Sequence, residues 1–496
     1  MNRTLVLGLD GGTFHVLNRY SEAYPGGIFA EWMREGLVRT LHSTKPFFTA
    51  PAWTTFMTGL NPGHHGVFHW RARFKSQWGP ERPLVSTEHL ADCSFWSYLQ
   101  SHGAQVAISN FPMEYPAPPT KGAYLCGTLA PETAPRTSWP PQLMEQVRER
   151  FPDYRFEMDK GISYLNRLPE LRDHILRLGR EHAAAFEELC DPYSADFAFH
   201  TVTVTDRMQH FFWHCFDPEH PRYDPDWSKK NGGLPIFEAY RIGEQLLERA
   251  WGSGHFNNAI IVSDHGAGLS SLSFYCDAWL DQLGLVQFDS RGRADFKASI
   301  AYSGEEPECS IYVNRVDRDG AGLSPESYRE TVSMLTERLV ALRRPDSGEP
   351  AFDHVYTQDQ VFAGPFASEG PDIILVPSSG VHPQPGSSTE IFAPSKRLFS
   401  GHRQNGILIG YGRSFERSVD ASLSLDIMDM FALLCALSGV PIPAGLDGTI
   451  KTALPALAAG AIVDRRRSWR DRVQTGPPLQ TDRPDLVRRL AEMGYI

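Results

Sequence analysis

The sequence predicts an α/β fold with a mostly parallel, doubly wound sheet, and two observations carry this prediction. First, an apolar run at residues 4–9 (TLVLGL) ends in Asp10, Gly11 and Gly12, the pattern of a buried parallel strand that delivers an acidic residue into a loop. Second, similar runs alternate along the chain with longer segments of helical periodicity. Ligands bind outside the carboxyl ends of the strands in such sheets, so the loops after these runs are where we expect the chemistry.

The predicted elements follow in chain order. After the strand at 4–9, a short helix is predicted over 50–57, because Pro51 falls in its first turn and Gly59 stands just past its end. Further buried strands are predicted at 105–109, 197–204, 259–262, 373–376 and 407–410. Further helices are predicted at 141–151, 170–190, 240–251, 325–342, 426–437 and 484–493.

Two regions are predicted to be additions to this core. Residues 70–124 and 130–169 are rich in proline, aromatic and charged residues, and residues 275–385 carry short strands punctuated by glycine and proline around one helix. The predicted organisation is an α/β core at 1–274 with an insertion near 70–170, a cap or insertion at 275–385, a second part of the core at 386–455, and a tail with a helix at 456–496.

Charge and composition restrict the partners. The 48 basic and 59 acidic residues give a net charge of −11, and no long basic stripe occurs, so no nucleic acid polymer is expected as a partner. The sequence does not determine an oligomeric state. The run at 4–9 is too short for a signal peptide, no stretch approaches a membrane span, and the seven scattered cysteines form no CxxC pair. We therefore expect a cytoplasmic protein without a membrane span.

Thr49 stands at the mouth of the first predicted helix and is predicted to be its N-cap. A hydroxyl there lies among unpaired backbone N–H groups at the positive end of the helix dipole, which attracts phosphate and favours an alkoxide. Taken alone, the position has two interpretations: Thr49 either reacts or only caps the helix.

Other loops supply residue types that bind metals. Asp206 and His210 (DRMQH) are four residues apart, so a helix would place them on one face, whereas in isolation such a pair is more often an ordinary surface pair. The SDHG motif, which contains Asp264 and His265, follows the predicted strand at 259–262. The SGHRQNG motif, which contains His402, precedes the predicted strand at 407–410. Together with Asp10 they complete a set of three Asp, three His and one Thr that suits two Zn²⁺ or Mn²⁺ ions: Asp10, Thr49, Asp206, His210, Asp264, His265 and His402.

These motifs resemble those of the alkaline phosphatase superfamily, close to its type I phosphodiesterase and nucleotide pyrophosphatase branch. The resemblance rests on LDGG at 9–12, TAPAW at 49–53, TGLNPGHHG at 58–66, DRMQH, SDHG and GHRQNGIL, in this order along nearly the whole chain. It implies a three-layer α/β/α core with inserted cap segments and two divalent metal ions, Zn²⁺ with Mn²⁺ as the alternative.

The resemblance also implies roles for the residues. Thr49 would be the nucleophile, and one metal would be bound by Asp10, Thr49, Asp264 and His265. The second metal would be bound by Asp206, His210 and His402. In enzymes of this kind the threonine attacks phosphorus, a phosphothreonine forms, and water then hydrolyses it.

The resemblance favours hydrolysis of a small-molecule phosphodiester or nucleotide diphosphate. Two alternatives stay open: a phosphomonoesterase or phosphomutase that uses the same two metals, and a metal-binding protein without catalysis. The chain departs from the family pattern at Ala52, where many nucleotide pyrophosphatases have an Asn that holds a phosphate oxygen. This role would then fall to backbone N–H groups or to other side chains, for which the candidates are Lys45, Trp53, Asn110 and Arg403.

Overall fold

The fold is described from a computed structural model that covers residues 2–71, 84–85, 88–304, 310–395, 400–415, 424–450, 461–465, 468–473 and 484–493. Its strands in chain order are β1 (Thr4–Leu9), β2 (Leu37–His42), β3 (Val106–Phe111), β4 (Gly122–Cys126), β5 (Ser138–Trp139), β6 (Phe197–Val202), β7 (Asn258–Val262), β8 (Gly266–Gly268), β9 (Ser270–Tyr275), β10 (Ala301–Ser303), β11 (Ser310–Val313), β12 (Phe352–Thr357), β13 (Ile373–Pro377), β14 (Gly380–Gln384), β15 (Phe392–Pro394), β16 (Gly401–Arg403), β17 (Asn405–Gly412), β18 (Leu425–Asp426), β19 (Ile442–Pro443) and β20 (Val463–Asp464).

The helices lie between these strands for most of the chain. They are α1 (Phe14–Ala23), α2 (Ile28–Glu35), α3 (Thr49–Thr58), α4 (Pro62–His65), α5 (Phe95–Ser101), α6 (Gln142–Arg150), α7 (Leu168–Leu189), α8 (Val204–Phe216), α9 (Pro225–Lys230), α10 (Pro235–Gly252), α11 (Cys276–Gln282), α12 (Val316–Asp319), α13 (Pro325–Ala341), α14 (Gln358–Val361), α15 (Met430–Ser438) and α16 (Pro484–Met493). None of the helices in the described residues combines the length and apolar character that crossing a bilayer requires.

The main sheet has nine strands in the order β18-β2-β17-β7-β1-β6-β3-β4-β5. β1 lies in its middle with β6 and β7 as parallel neighbours, whereas β17 is antiparallel to both β2 and β7, and β5 is antiparallel to β4. This confirms the predicted mostly parallel α/β sheet. The strand β2 was not predicted, because its sequence LVRTLH alternates between buried and half-buried positions instead of forming an apolar run.

Helices cover both faces of this sheet. Successive side chains of β1 point to opposite faces. Trp53 of α3 packs over Gly8, while Gly243 of α10 packs against Leu7 and Leu9, so α3 and α10 lie on opposite sides of the sheet. The result is a three-layer α/β/α core.

The long helix α7 shows why these segments become helices of the outer layer. Its apolar residues recur at helical spacing, and Leu171, Ile175, Leu178 and Phe186 are all buried. Pro169 lies in the first turn, where a missing N–H breaks no intrahelical hydrogen bond. α7 therefore buries one face, which packs against α8 and α10.

A second, smaller apolar core lies mostly within the region predicted as a cap, but it extends beyond that region at both ends, from Ser270 in β9 to Pro394 in β15. It is built on a four-stranded sheet, β10-β11-β13-β12, on a three-stranded sheet, β14-β9-β15, and on α13. The run at 373–376 was counted among the core strands in the sequence, but β13 pairs antiparallel with β11 and β12 in this second unit. A buried apolar run shows that a strand is covered on both faces, but it does not show which sheet the strand joins.

The region near 70–170 differs from its prediction as an insertion. Its strands β3, β4 and β5 extend the main sheet, and Leu125, Phe156 and Met158 lie in the main core. The prediction of an insertion rested on the proline, aromatic and charged residues of this region, and the strands that it contributes lie at one edge of the main sheet.

Glu114, just after β3, leads to a prediction about stability. Burial raises the pKa of Glu114 to about 8, so the folded protein holds a proton on a carboxyl group that ionises near 4.5 in the unfolded chain. The free energy of unfolding should therefore fall as the pH rises from about 4.5 through 8, because the unfolded state releases this proton first. Glu114→Gln should be more stable than the unsubstituted protein by roughly 2–4 kcal/mol at alkaline pH.

Urea unfolding of both proteins at acidic and alkaline pH measures this effect. The difference between the free energies of unfolding of Glu114→Gln and the unsubstituted protein should grow with rising pH. A difference that does not change with pH would show that the Glu114 carboxyl ionises normally in the folded protein.

Candidate active site

The predicted metal ligands and Thr49 meet at one edge of the main sheet. β1, β6, β7 and β2 all end at this edge, and β17, which runs in the opposite direction, begins there. The loops and helices that follow or precede these strands carry the candidate residues: Asp10 after β1, Asp206 and His210 in α8, Asp264 and His265 after β7, Thr49 at the start of α3, and His402 in β16.

Thr49 is the first residue of α3, and the N-cap position is held by Phe48 in an extended conformation. The predicted N-cap was therefore one residue too late, and no side chain caps this helix end. Thr49 is fully buried, and its hydroxyl Oγ1 lies 3.3 Å from His265 Nε2. The hydroxyl is thus available to the site instead of being engaged as a cap.

The first group of candidate ligands surrounds the Nε2 atom of His265. This atom lies 3.3 Å from Asp264 Oδ2 and 3.7 Å from Asp10 Oδ1, in addition to its contact with Thr49. His265 Nδ1 donates to the Gly266 carbonyl oxygen at 3.0 Å, and since a carbonyl can only accept, Nδ1 carries the proton. Nε2 therefore keeps its lone pair for a metal or for the Thr49 hydroxyl.

The second group comprises Asp206, His210 and His402. The Nε2 atoms of the two histidines are 3.0 Å apart, and Asp206 lies 3.3 Å from His210 Nε2 and 3.6 Å from His402 Nε2. His402 arrives there because β16 pairs antiparallel with β8, which places His402 opposite Ala267 and next to His265. The spacing of four residues on α8 aligns Asp206 and His210, as predicted.

Asp206 belongs to both groups. Its carboxylate lies within 4.8 Å of ligand atoms of His210 and His402, and also of Asp10 and His265. Gly11 allows this close approach: its φ is +64°, and a Cβ there would lie 2.8 Å from Asp206 Oδ1. Asp206 therefore joins the two groups into one continuous site.

The charges of the site fit divalent cations. Neither carboxylate oxygen of Asp10, nor Oδ2 of Asp264, has a hydrogen-bond partner in the described part of the chain. Burial, with the nearby charges of Asp264 and Asp206, raises the pKa of Asp10 well above its usual value, and burial raises the pKa of Asp264 to about 7. Cations would coordinate these oxygens and relieve the repulsion between them, and the mixed set of carboxylate and imidazole donors suits Zn²⁺.

The predicted substrate contacts fall into two kinds of surroundings. Trp53 is fully buried in the main core, where its ring packs on Phe56, Phe111 and Phe199, so the structure does not favour a contact with substrate. Asn110 is also fully buried, and its side-chain amide donates to the Thr201 carbonyl oxygen at 2.7 Å. Both residues support the core beneath the site.

Arg403 and Lys45 lie closer to the surface. The guanidinium of Arg403 donates to the backbone carbonyl oxygens of His402, Leu269 and Val381, which fixes β16 in place. Lys45 forms no hydrogen bond or ion pair with the described residues, and its ammonium group lies 5.2 Å from the centre of the Tyr356 ring. Of the two charged candidates, Lys45 is thus the one without a hydrogen bond or ion pair to the described residues, whereas Arg403 is fully engaged.

The TGLNPGHHG motif connects segments outside the metal ligands. The carboxylate oxygen Oδ2 of Asp447 lies 2.7 Å from both the Asn61 backbone nitrogen and His64 Nδ1. The Asn61 side chain in turn donates to the Val361 carbonyl oxygen at 2.9 Å. These contacts join α4 to Asp447 and to Val361 at the end of α14, so His64 has a structural role.

Two buried charged residues beside Asp206 were not predicted. Arg207 and Glu157 form an ion pair with an N–O distance of 2.8 Å, and Arg207 also contacts Asp206 at 2.7 Å. Arg207 lies within the DRMQH motif, so its position next to a candidate ligand was a visible signal. Glu157 lies fifty positions earlier in the chain, and nothing in its sequence context marked it.

Comparisons with known proteins show to which family the chain belongs. A sequence model of the family described as Type I phosphodiesterase / nucleotide pyrophosphatase matches residues 4–401. No curated protein sequence matches the chain. Among solved structures, phosphonoacetate hydrolase from Sinorhizobium meliloti 1021, in complex with phosphonoacetate, is similar with a TM-score of 0.52 and 15% identity, over 88% of this chain and 96% of the other.

Human ectonucleotide pyrophosphatase / phosphodiesterase 5 is also similar, with a TM-score of 0.49 and 15% identity over 92% of this chain and all (100%) of the other. At 15% identity the phosphonoacetate hydrolase structure shows a shared fold, whereas the family match spans most of the sequence. The chain therefore belongs to the type I phosphodiesterase / nucleotide pyrophosphatase family of phosphohydrolases.

Proposed function

We propose that this enzyme hydrolyses small phosphodiesters or nucleotide diphosphates through a covalent phosphothreonine at Thr49. One observation carries the proposal: the Thr49 hydroxyl lies in a buried group with Asp10, Asp264 and His265, 3.3 Å from a histidine nitrogen that holds a free lone pair. A threonine that only began a helix would not require a histidine beside its oxygen that itself lies within 3.7 Å of two carboxylates.

In the proposed reaction, Thr49 Oγ1 forms a bond to phosphorus as the bond from phosphorus to the leaving oxygen breaks. The leaving group departs with a proton, and a water molecule then attacks phosphorus, breaks its bond to Oγ1 and restores the Thr49 hydroxyl. Bound divalent cations would lower the pKa of the hydroxyl and neutralise charge on the phosphoryl group. The hydrogen bond from His265 to Gly266 keeps the imidazole in the tautomer that faces Thr49.

The candidate ligands divide between two cations. One cation would be held by Asp10, Thr49, Asp264 and His265. The second would be held by Asp206 and His210 of α8 together with His402 of β16. We propose Zn²⁺ as the cation, with Mn²⁺ as the alternative, because three imidazoles and three carboxylates suit both ions and imidazole favours zinc. Elemental analysis of the purified protein, followed by reconstitution of the metal-free protein with each ion, tests this choice.

A substrate panel tests the reaction type. With Zn²⁺ or Mn²⁺ present, bis-p-nitrophenyl phosphate or a nucleotide-sugar should be cleaved with kcat/KM at least about tenfold above that for p-nitrophenyl phosphate. A monoester preferred over the diester would favour a phosphomonoesterase, and phosphate transfer to an added alcohol would favour a mutase. Phosphonoacetate belongs in the panel because a structural relative binds it. No turnover with both cations bound would refute the proposed catalysis.

We also propose that Lys45 binds an anionic part of the substrate. The segment around it lies where the two cores meet, since Phe47 packs in the second core and Phe48 in the main core. Burial lowers the pKa of Lys45, an effect that the charge of Asp426 opposes. A half-buried ammonium group without a partner among the described residues gains from an anion supplied by a ligand.

Lys45→Met is predicted to raise KM about tenfold while kcat stays within about twofold, because the lost attraction acts equally on bound substrate and transition state. Steady-state kinetics on the best substrate of the panel measure this split. Lys229→Met removes an exposed lysine that pairs with Asp226 and serves as the matched control. An unchanged KM in Lys45→Met would exclude Lys45 as a substrate contact.

We propose a cytoplasmic location for the protein. No disulfide bond joins any of the cysteines in the described residues, and all of them are buried, which suits a reducing compartment: Cys93, Cys126, Cys190, Cys215, Cys276 and Cys435. Cell fractionation with an antibody against the protein tests this location.

A further inference from the structure

A buried chain of charged groups leads from the core to the candidate metal site. Arg207 is 1% exposed and contacts two carboxylates at once: Nη1 donates to Asp206 Oδ2 at 2.7 Å, and Nη2 donates to Glu157 Oε2 at 2.8 Å. Nε also donates to Glu157 Oε1, at 3.3 Å. The planar guanidinium therefore engages Glu157 with two hydrogen bonds and Asp206 with a third.

Glu157 is itself held firmly. Thr128, just beyond β4, donates its hydroxyl to Glu157 Oε2 at 2.8 Å, and the Met158 backbone nitrogen donates to Oε1 at 2.9 Å. Each carboxylate oxygen of Glu157 thus accepts two hydrogen bonds, and the side chain is only 2% exposed. A carboxylate fixed in this way fixes the arginine that it binds.

Fold stability alone does not account for this arrangement. A buried ion pair gains little over well-packed apolar side chains, because removing both charges from water is costly. Here the arginine reaches past its partner to the one carboxylate that lies in both candidate ligand groups. Its positive charge also offsets part of the negative charge that Asp10, Asp206 and Asp264 concentrate at the site.

We propose that Arg207, anchored by Glu157, is a positioning residue that holds the Asp206 carboxylate in the orientation needed to bind a cation with His210 and His402. The inference rests on the proposed function, because it requires that this site binds metal. Arg207 touches neither substrate nor the reacting atoms. It acts by fixing one oxygen of Asp206 through Nη1, so that the other, Oδ1, stays directed to His402 Nε2 at 3.6 Å.

The test measures metal binding, not turnover. Metal-free protein is titrated with Zn²⁺ by calorimetry, and the Co²⁺-loaded protein is followed by visible absorption. In Glu157→Gln an NH₂ group replaces one of the two carboxylate oxygens. This group donates hydrogen bonds, but all the neighbours of that oxygen are donors too, so the side chain can no longer hold Arg207 in place. Affinity for one of two Zn²⁺ ions should fall by roughly 10- to 100-fold, the range for loss of a partner that orients a ligand, while the other ion binds as before.

A second substitution identifies the affected ion. His210→Ala removes one ligand of the ion that Asp206, His210 and His402 would bind. The double variant His210→Ala/Glu157→Gln should therefore bind Zn²⁺ almost as well as His210→Ala alone. If Glu157→Gln fails to fold, as judged by circular dichroism, Thr128→Val removes one hydrogen bond to Glu157 and should weaken the same ion by a few-fold.

Arg318→Lys is the matched control. Arg318 is a comparably buried arginine in the second core, where it binds Asp372 with two hydrogen bonds at 2.9 and 3.1 Å. This variant should bind both Zn²⁺ ions normally even if it is less stable. Unchanged Zn²⁺ binding in Glu157→Gln and Thr128→Val, or an equal loss in Arg318→Lys, would overturn the positioning role. A wild-type protein that binds no Zn²⁺ or Mn²⁺ would instead refute the proposed function, and the inference with it.

Discussion

Thr49→Ala is expected to reduce kcat on the best phosphoester substrate by at least about 10³-fold, which corresponds to about 4 kcal/mol of activation free energy. The substitution deletes the atom that would form the bond to phosphorus, and no other hydroxyl contacts His265 Nε2 among the described residues. The fold should not suffer, because Thr49 makes no capping hydrogen bond and alanine is a good helix former. Both cations should still bind through the remaining carboxylate and imidazole ligands.

Two variants and one chemical measurement make this prediction specific. Thr49→Ser keeps the hydroxyl and should retain activity within about tenfold. Thr54→Ala deletes a buried hydroxyl of the same helix that bonds to the Ala50 carbonyl oxygen, and it should leave activity nearly unchanged. Acid quenching during turnover, followed by mass spectrometry, should detect a phosphate on Thr49. Substantial activity in Thr49→Ala would mean that water, not this hydroxyl, attacks the substrate.

Much of the site could be predicted from the sequence because its residues lie at strand ends. Asp10 and Asp264 each follow an apolar run, and parallel strands bring their carboxyl ends to one edge of a sheet. The spacing of Asp206 and His210 on one helix added a local geometric signal. These residues were identifiable because each depends on local sequence and on a general rule of α/β topology.

His402 and Glu157 show where this reasoning ends. His402 was in the predicted ligand set, but its local sequence did not show that β16 pairs with β8, which is what brings this histidine to the site. Glu157 contacts Arg207 across fifty positions of chain, from a region whose composition was taken for an insertion. Both depend on tertiary contacts between segments that are far apart in sequence, and neither hydrophobic periodicity nor motif spacing encodes such contacts.

The order of the strands was likewise beyond local patterns. The run at 407–410 was predicted as a strand of a mostly parallel sheet, and β17 is indeed in that sheet, but it is antiparallel to β7 and separates β7 from β2. Strand direction depends on how the chain crosses the sheet, and here the chain first builds the second core between β9 and β15. The reversal matters for function, because it brings the residues before β17, including His402, to the edge where β7 ends.

Asp206→Asn is expected to have the second large effect, the loss of at least one bound cation and a fall in kcat/KM of about 10³-fold or more. Asparagine keeps the shape of the side chain but removes the negative charge that the two ligand groups share. Arg207 retains Glu157 as a partner, so no buried charge is left unpaired and the protein should still fold. The effect should exceed that of Glu157→Gln, which leaves the ligand itself in place.

Elemental analysis and kinetics on the same preparations measure the two parts of this prediction together. Asp447→Asn provides the comparison, because Asp447 also pairs with a histidine, His64 at 2.7 Å, but lies outside both ligand groups. That variant should keep both cations. If Asp206→Asn bound two cations with unchanged affinity, the carboxylate between the two groups would not be a ligand. The resemblance assigned Asp206 to one metal, whereas the geometry places it beside both ligand groups. The number of cations that Asp206→Asn loses therefore decides whether this carboxylate is a ligand of one ion or of two.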